Sequence, residues 1–392
     1  MAFTPLASDF YGYENELTDQ EKDPLTTLRS YLETEVKPIV NEFWQRAEFP
    51  MQVIKPLHEL GVASYSWEET APFANSTVFR GFVALELARV DASIATYVGV
   101  QNGLAAGSVH ACGSDEQKAE WLPKLASGEV IGAFGLTEPQ SGSDSAQGLR
   151  TTAKRDGESW VLNGSKRWIG NATFSDITVI WAKDADDGQV KGFIVPTSTP
   201  GYTATRIEGK QSLRIVQNAD ITLENVVVPE RLRLANANSF KDTARVLRAT
   251  RAEVAWAAVG NSIGAYDAAV AYAKERVQFG KPIGAHQLMQ DLLVKSLGNI
   301  TASIGMVVQV SKMLDAGTQR DEHSALAKSF TTTRMRETVA WCRELLGGNG
   351  IVIDYDVVRH FMDAEALYSY EGTREMNTLI VGRAITGHAA FV

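Results

Sequence analysis

Apolar positions along the chain fall into three regimes. Between about residues 23 and 127 they recur every three or four places, as in LTTLRSYLETEVKPIVNEFW and FRGFVALELARV, the spacing that lines one face of a helix. From about 131 to 234 the runs become short, β-branched and aromatic, broken by turn residues: SWVLNGSKRWIG, ITVIWAK, VKGFIV and ADITLENVVVP, with DADDGQ as a polar turn and Pro229 as the last stop. Asn163 and Gly164 both tolerate positive φ, which predicts a tight hairpin within the first of these runs. Helical spacing returns from about 244 in AEVAWAAVGNSIGAYDAAVAYAKER, HQLMQDLLVKSLGNITASIGMVVQVSKMLDA and EHSALAKSFTTTRMRETVAWCRELL. Each is far longer than the ordinary helix of about 11 to 12 residues, and broad apolar stripes of this kind pack as a bundle that can also supply subunit contacts. The pattern predicts an α+β multi-domain fold: an N-terminal all-α domain over 1–130, a middle antiparallel, β-barrel-like domain over 131–240 and a C-terminal four-helix bundle over 241–392.

At 392 residues the chain exceeds the size at which a single core stops growing, and it has room to bury a large cofactor. Its 44% hydrophobic and 22% charged residues are those of an ordinary globular protein, and no unbroken apolar run approaches the roughly 18 residues of a membrane span. The net charge of -9 opposes nucleic acid and anionic membrane surfaces. An anionic metabolite such as coenzyme A then requires a local gathering of Lys, Arg and backbone N–H groups. Cys112 and Cys342 have no CxxC spacing and read as reduced thiols. With an acidic N-terminus that lacks a secretory pattern, and HAAFV at the C-terminus in place of a peroxisomal tripeptide, the expected location is cytoplasmic.

Generic motifs carry little. GxSxG at Gly260, Ser262 and Gly264 lies inside an alanine-rich helical run with no strand before it, so a nucleophile elbow is not expected. The GGNG at 347–350 follows a helix and lacks dinucleotide-binding spacing, and the six histidines have no metal-binding pattern, so no metal is expected.

Three segments stand above this background, and on them the chain resembles the acyl-CoA dehydrogenase family over nearly its whole length. In FGLTEPQSGSD (134–144), main-chain groups around Phe134, Leu136 and Thr137 are suited to a flavin edge, while Gly142 and Ser143 let the backbone approach a diphosphate. In SKRWIGN (165–171), Trp168 matches the family tryptophan that packs on the flavin, followed by Ile169 and Gly170. Gly170 departs from the threonine common in the family, and RWIGN is similar to plant short-chain acyl-CoA oxidases. In YSYEGTREMNTLIVGRAITG (368–387), Glu371 beside Gly372 is similar to the family's catalytic loop. A base for an α-proton needs a site closed to water, where burial raises a carboxylate's pKa toward the working pH.

The resemblance implies FAD as cofactor, Glu371 as base, hydride transfer to the flavin, and a trans-2-enoyl-CoA product. It places Ser143, Arg251, Tyr370, Glu371 and Gly372 against substrate. It places Arg276, Phe279, Gln287, Gly347, Gly348, Thr373 and Glu375 among further cofactor contacts, with Glu344 departing from the usual glutamine. Where some members carry their base on the long helix this chain has Thr250, which leaves Glu371 without a rival. A cofactor shared between subunits implies a homotetramer, with an electron-transfer flavoprotein as acceptor. The ARVDAS, ELLGGNGI and GRAITG wording resembles the glutaryl-CoA dehydrogenase branch, but Ala95 stands where that branch places the arginine for a distal carboxylate. A neutral short acyl chain is therefore expected. The alternatives are a short-chain oxidase using oxygen, a glutaryl-CoA dehydrogenase, and a non-catalytic flavoprotein.

Overall fold

The computed structural model describes residues 3–390. Seven helices come first: α1 (Asp19–Tyr31), α2 (Lys37–Arg46), α3 (Ile54–Glu59), α4 (Thr77–Val90), α5 (Ala92–Val98), α6 (Gly107–Cys112) and α7 (Asp115–Ser127). Helix α4 is buried along nearly its whole length, because its apolar side chains surround the axis. Asp91 ends α4 and caps α5, accepting from the N–H groups of Ser93 (2.8 Å) and Ile94 (3.1 Å). Between α5 and α6 the helix widens into π-helical turns over Gly99–Ala106.

The middle of the chain forms one seven-stranded sheet: β1 (Gly132–Gly135), β2 (Thr152–Asp156), β3 (Ser159–Ile169), β4 (Ile177–Asp184), β5 (Val190–Pro196), β6 (Tyr202–Arg206) and β7 (Ala219–Pro229), with a helical turn α8 (Ser145–Gly148) after β1. The order is β1-β4-β2-β3-β7-β6, with β5 also on β4. The sheet is not purely antiparallel, since β1 and β2 both run parallel to β4. The expected hairpin at Asn163–Gly164 is also corrected. Strand β3 runs straight through those residues with a bulge, and the turn lies at Gly157, whose φ is 59°. Gly164 serves a different need: a Cβ there would come within 2.7 Å of the Thr151 Cα, so only glycine allows this backbone approach.

The remainder consists of α9 (Phe240–Glu275), a small hairpin β8 (Val277–Gln278) and β9 (Lys281–Pro282), α10 (Gln287–Asp315), α11 (Asp321–Leu345), α12 (Val357–Ser369) and α13 (Arg374–Thr386). Helix α9 packs on α4 through the glycines of the GxSxG string. A Cβ on Gly260 would lie 2.2 Å from the Leu85 carbonyl oxygen, and one on Gly264 2.3 Å from that of Arg89. The Ser262 hydroxyl donates to the Ala258 carbonyl (2.8 Å), so the motif is a helix-packing device. Helix α10 amends one expectation, for it is long and apolar enough, by length and composition, to cross a membrane. In the fold it buries Ile300, Ile304, Val307 and Val308 in the core and leaves Leu288 and Val294 exposed. Arg359 of α12 donates to Asp91 (2.9 Å) and to the Val90 carbonyl (2.7 Å), tying the last helices to the first domain.

Candidate active site

Residues 370–372 join α12 to α13 through two consecutive left-handed conformations, Glu371 at φ 50° and Gly372 at φ 90°. Glycine takes that conformation freely, whereas a glutamate in it costs about 1 kcal/mol or more and persists only where neighbours impose it. The neighbours are visible. The Lys328 ammonium, buried on α11, donates to the carbonyls of Tyr370 and Gly372. Asn377 Nδ2 donates to the carbonyls of Gly372 (2.9 Å) and Thr373 (3.0 Å). The Thr373 hydroxyl caps α13 by accepting from the Met376 N–H (3.3 Å).

The loop holds the Glu371 carboxyl in an enclosed position where Oε2 has no hydrogen-bond partner. Burial raises its pKa, while the Thr250 hydroxyl and the charges of Lys328 and Arg251 oppose the shift. Burial likewise brings Lys328 down to about 8, against the pull of Glu371. Arg251 faces Glu371 with its Nε unpaired, and burial lowers its pKa too. Burial pushes the neighbouring Tyr370 phenol above its ordinary range.

Beside this loop lies a cavity of about 190 Å³ between α4, the π-helical segment and α9, lined by Leu87, Val98, Gly103, Thr250, Glu253 and Trp256 among others. Glu253 follows Thr250 by one turn of α9, and Gly103 lies against both side chains. Burial, then the charge of Glu371, pushes the Glu253 carboxyl up to about 7.

The two sheet segments form a second surface. Strand β1 pairs only with β4 within the sheet, so its other main-chain edge is left without a strand partner. The carbonyls of Leu136 and Thr137 already accept from Lys166 Nζ (3.2 Å) and the Arg167 N–H (2.8 Å). Lys166, itself buried, is paired with Glu138 at 2.8 Å, which rigidifies this corner. Phe134 is buried, whereas Gly142 and Ser143 are exposed, with nothing within 4 Å of a Cβ at Gly142. Trp168 sits at φ 65° with its indole 51% exposed and the Arg167 guanidinium 5.0 Å over the ring. A large flat apolar ring held there by the backbone presents a stacking face. Ile169 is buried, and Gly170 is glycine for a packing reason as well: a Cβ would meet Val100 Cγ2 at 3.3 Å.

A third cluster lies apart from these two. Arg276, Phe279, Gln287, Glu344 and Gly347 line one groove with Tyr272 and His286, with a volume of about 670 Å³, and Gly348 is exposed next to it. Phe279 is 94% exposed at φ 53°. None of these residues lines the cavity beside Glu371. Glu375 is exposed and bonded to Arg374 (2.8 Å).

Lys328 and Glu253 are not among the residues that the sequence singles out. Each sits on a long helix, where a charged residue normally faces solvent, and neither has a local motif. The available signal was indirect: Ala325, Ala327, Thr331 and Thr332 put Lys328 on a face of small buried residues.

Family models for the acyl-CoA dehydrogenase N-terminal, middle and C-terminal domains match residues 18–129, 133–226 and 240–386. The chain belongs to the acyl-CoA dehydrogenase family. It is an oxidoreductase of that family with the family's helix–sheet–helix architecture. An acyl-CoA dehydrogenase of Bacillus subtilis is 32% identical over 365 residues, covering 92% of this chain and 96% of the relative. The short-chain specific mitochondrial enzyme of Bos taurus is 30% identical over 371 residues, covering 93% and 90%. Among solved structures, a glutaryl-CoA dehydrogenase from Mycobacterium smegmatis in complex with FADH2 superposes with a TM-score of 0.93 at 35% identity, covering 98% of each chain. The butyryl-CoA dehydrogenase of Megasphaera elsdenii gives 0.90 at 30% identity, covering 94% of this chain and 99% of that one.

Proposed function

We propose that the chain catalyses FAD-dependent α,β-dehydrogenation of a short-chain, non-acidic acyl-CoA, with Glu371 as the base that removes the α-proton. The observation that carries this reading is the Glu371 carboxyl, enclosed with one unpartnered oxygen on a strained loop clamped by Lys328. A carboxylate kept from water and raised in pKa is a stronger base, and one fixed in place has its orientation settled before the substrate arrives. The Glu371 N–H, on the same loop, is the donor suited to a thioester oxygen as negative charge develops.

The residues present fit FAD. The half-exposed Trp168 offers a face for a planar ring, β1 offers a main-chain edge without a strand partner, and the open Gly142–Ser143 turn lets a diphosphate approach. Bound there, FAD would accept the hydride from the substrate β-carbon. Arg276, Phe279, Gln287 and Glu344, gathered in their own groove, suit the far end of a cofactor held by a second copy. The exposed Leu288, Val294 and Ile385 supply apolar surface for that assembly, a homotetramer in our reading. Two buried free thiols agree with a cytoplasmic location. We divide the chain at 1–130, 131–240 and 241–392.

Short non-acidic chains are favoured by two features: the buried Ala95 offers no cation, and Glu253 would repel an acidic chain end. We infer an electron-transfer flavoprotein as acceptor. The oxidase reading rests on Gly170, whose place against Val100 gives it a packing reason of its own. In an anaerobic titration, butyryl-CoA should discharge the yellow flavin colour, and persistent colour with every short acyl-CoA would refute dehydrogenation. Admitting air to the reduced enzyme should then restore colour slowly, whereas rapid stoichiometric peroxide release would make it an oxidase.

A further inference from the structure

The cavity beside Glu371 is not the plain hydrocarbon slot that an unfunctionalised alkyl chain requires. Glu253 projects from α9 with its carboxyl against the π-helical segment: a Cβ on Gly103 would lie 3.0 Å from Oε2, and one on Gly99 3.6 Å from Oε1. Gly103 in particular makes room for the carboxyl, while the approach to Gly99 is an ordinary contact. No hydrogen bond from a described residue reaches it, and Arg80, the cation that shares the cavity lining, is engaged with other partners. Arg80 donates to the Asn75 carbonyl (3.2 Å), to Asn75 Oδ1 (2.9 Å) and to the Thr77 hydroxyl.

A second polar side chain belongs to the same lining. Asn102 is 4% exposed, and its Nδ2 donates to the Ser66 hydroxyl at 2.7 Å, while its Oδ1 has no partner. The Glu253 carboxyl therefore faces this small space with no described residue donating to it. Leaving such a group unanswered costs about 1 to 3 kcal/mol, so an all-carbon chain filling the cavity forgoes that energy and a chain bearing O–H or N–H recovers it.

We infer that this cavity selects an acyl thioester whose chain carries a hydrogen-bond donor, a hydroxyl or an amine, beyond the carbon that gives up the hydride. The inference rests on the dehydrogenation reading above and names its substrate class. Its register follows from the helix. Glu253 stands three residues, a rise of about 4.5 Å, along α9 from the Thr250 beside Glu371, so the donor belongs near the end of a chain of four or five carbons.

Three thioesters of equal heavy-atom length decide the matter with the holoenzyme: hexanoyl-CoA, 5-hydroxypentanoyl-CoA and 5-aminopentanoyl-CoA. The rate of anaerobic flavin reduction should give the hydroxyl or the amine at least about a tenfold advantage in kcat/KM over the methyl end. Preference for the hydroxyl identifies a neutral donor, preference for the amine a cation, and either supports the proposal. In Glu253→Leu, with FAD content and the flavin spectrum as checks on folding, the advantage should vanish or reverse. Glu253→Gln, which keeps an acceptor but no charge, should retain a hydroxyl preference and lose an amine preference. Equal or better use of hexanoyl-CoA by the natural enzyme, or an undiminished ratio in Glu253→Leu, overturns the proposal and leaves dehydrogenation standing. Failure of all three thioesters and of butyryl-CoA to reduce the flavin overturns both.

Discussion

Replacing Lys328 with methionine should harm turnover far more than stability. The change removes two charge-assisted hydrogen bonds, to the carbonyls of Tyr370 and Gly372, each worth about 1.5 to 3 kcal/mol. It also removes the several kcal/mol penalty of burying an ammonium, so the two effects largely offset and the net stability change should stay within about 2 kcal/mol. The loop is affected differently. Glu371 sits at φ 50° only because the carbonyls on either side of it are held, and release of that clamp frees about 1 to 3 kcal/mol of backbone strain. A base displaced by about 1 Å loses on the order of 10²-fold in rate. The assay is anaerobic stopped-flow reduction by butyryl-CoA, with FAD content and Tm measured on the same samples. A Lys328→Met enzyme within about threefold of the natural rate would refute the clamp.

Three further outcomes follow from the geometry. The reduction rate should trace a bell with pH: it climbs above the ordinary carboxylate range as enclosed Glu371 loses its proton, then falls beyond about 8 as Lys328 loses its own. A rate already at its plateau at pH 5 would contradict the raised carboxyl. Gly260→Ala should lower Tm by several degrees, because its Cβ would lie 2.2 Å from the Leu85 carbonyl oxygen, whereas Gly382→Ala, with no atom within 4 Å, should not. An unchanged Tm in Gly260→Ala would show that α9 and α4 are not in such close contact. Butyryl-CoA should outperform glutaryl-CoA in kcat/KM, and efficient decarboxylating turnover of glutaryl-CoA would refute the reading of Ala95 and Glu253.

The order of elements was legible because it rests on period. Apolar spacing of three to four residues in the first and last thirds, and short β-branched runs between, are local properties that the fold preserves. The errors are where distant contacts decide. Gly164 signals a turn locally, yet it is needed for the approach of Thr151, and Gly157 closes the hairpin. The parallel pairings of β1 and β2 with β4 leave no trace in either strand's own sequence. The site divides along the same line. Glu371, Gly372 and Trp168 lie in contiguous segments whose wording could be compared, whereas Lys328 comes from a helix 42 residues before Tyr370 and reads there as an ordinary surface charge. Glu253 is the clearest case. Only the packing of α9 against Gly103 turns a helical glutamate into a cavity wall.

The central claim is that Glu371 removes the α-proton, and Glu371→Gln tests it most directly, because the amide keeps the size of the side chain and cannot accept the proton. The variant should bind FAD and perturb its spectrum on adding butyryl-CoA, while the rate of flavin bleaching under anaerobic conditions falls by several orders of magnitude. Bleaching at close to the natural rate would contradict the assignment and place the base elsewhere, with Glu253 the next carboxyl to replace.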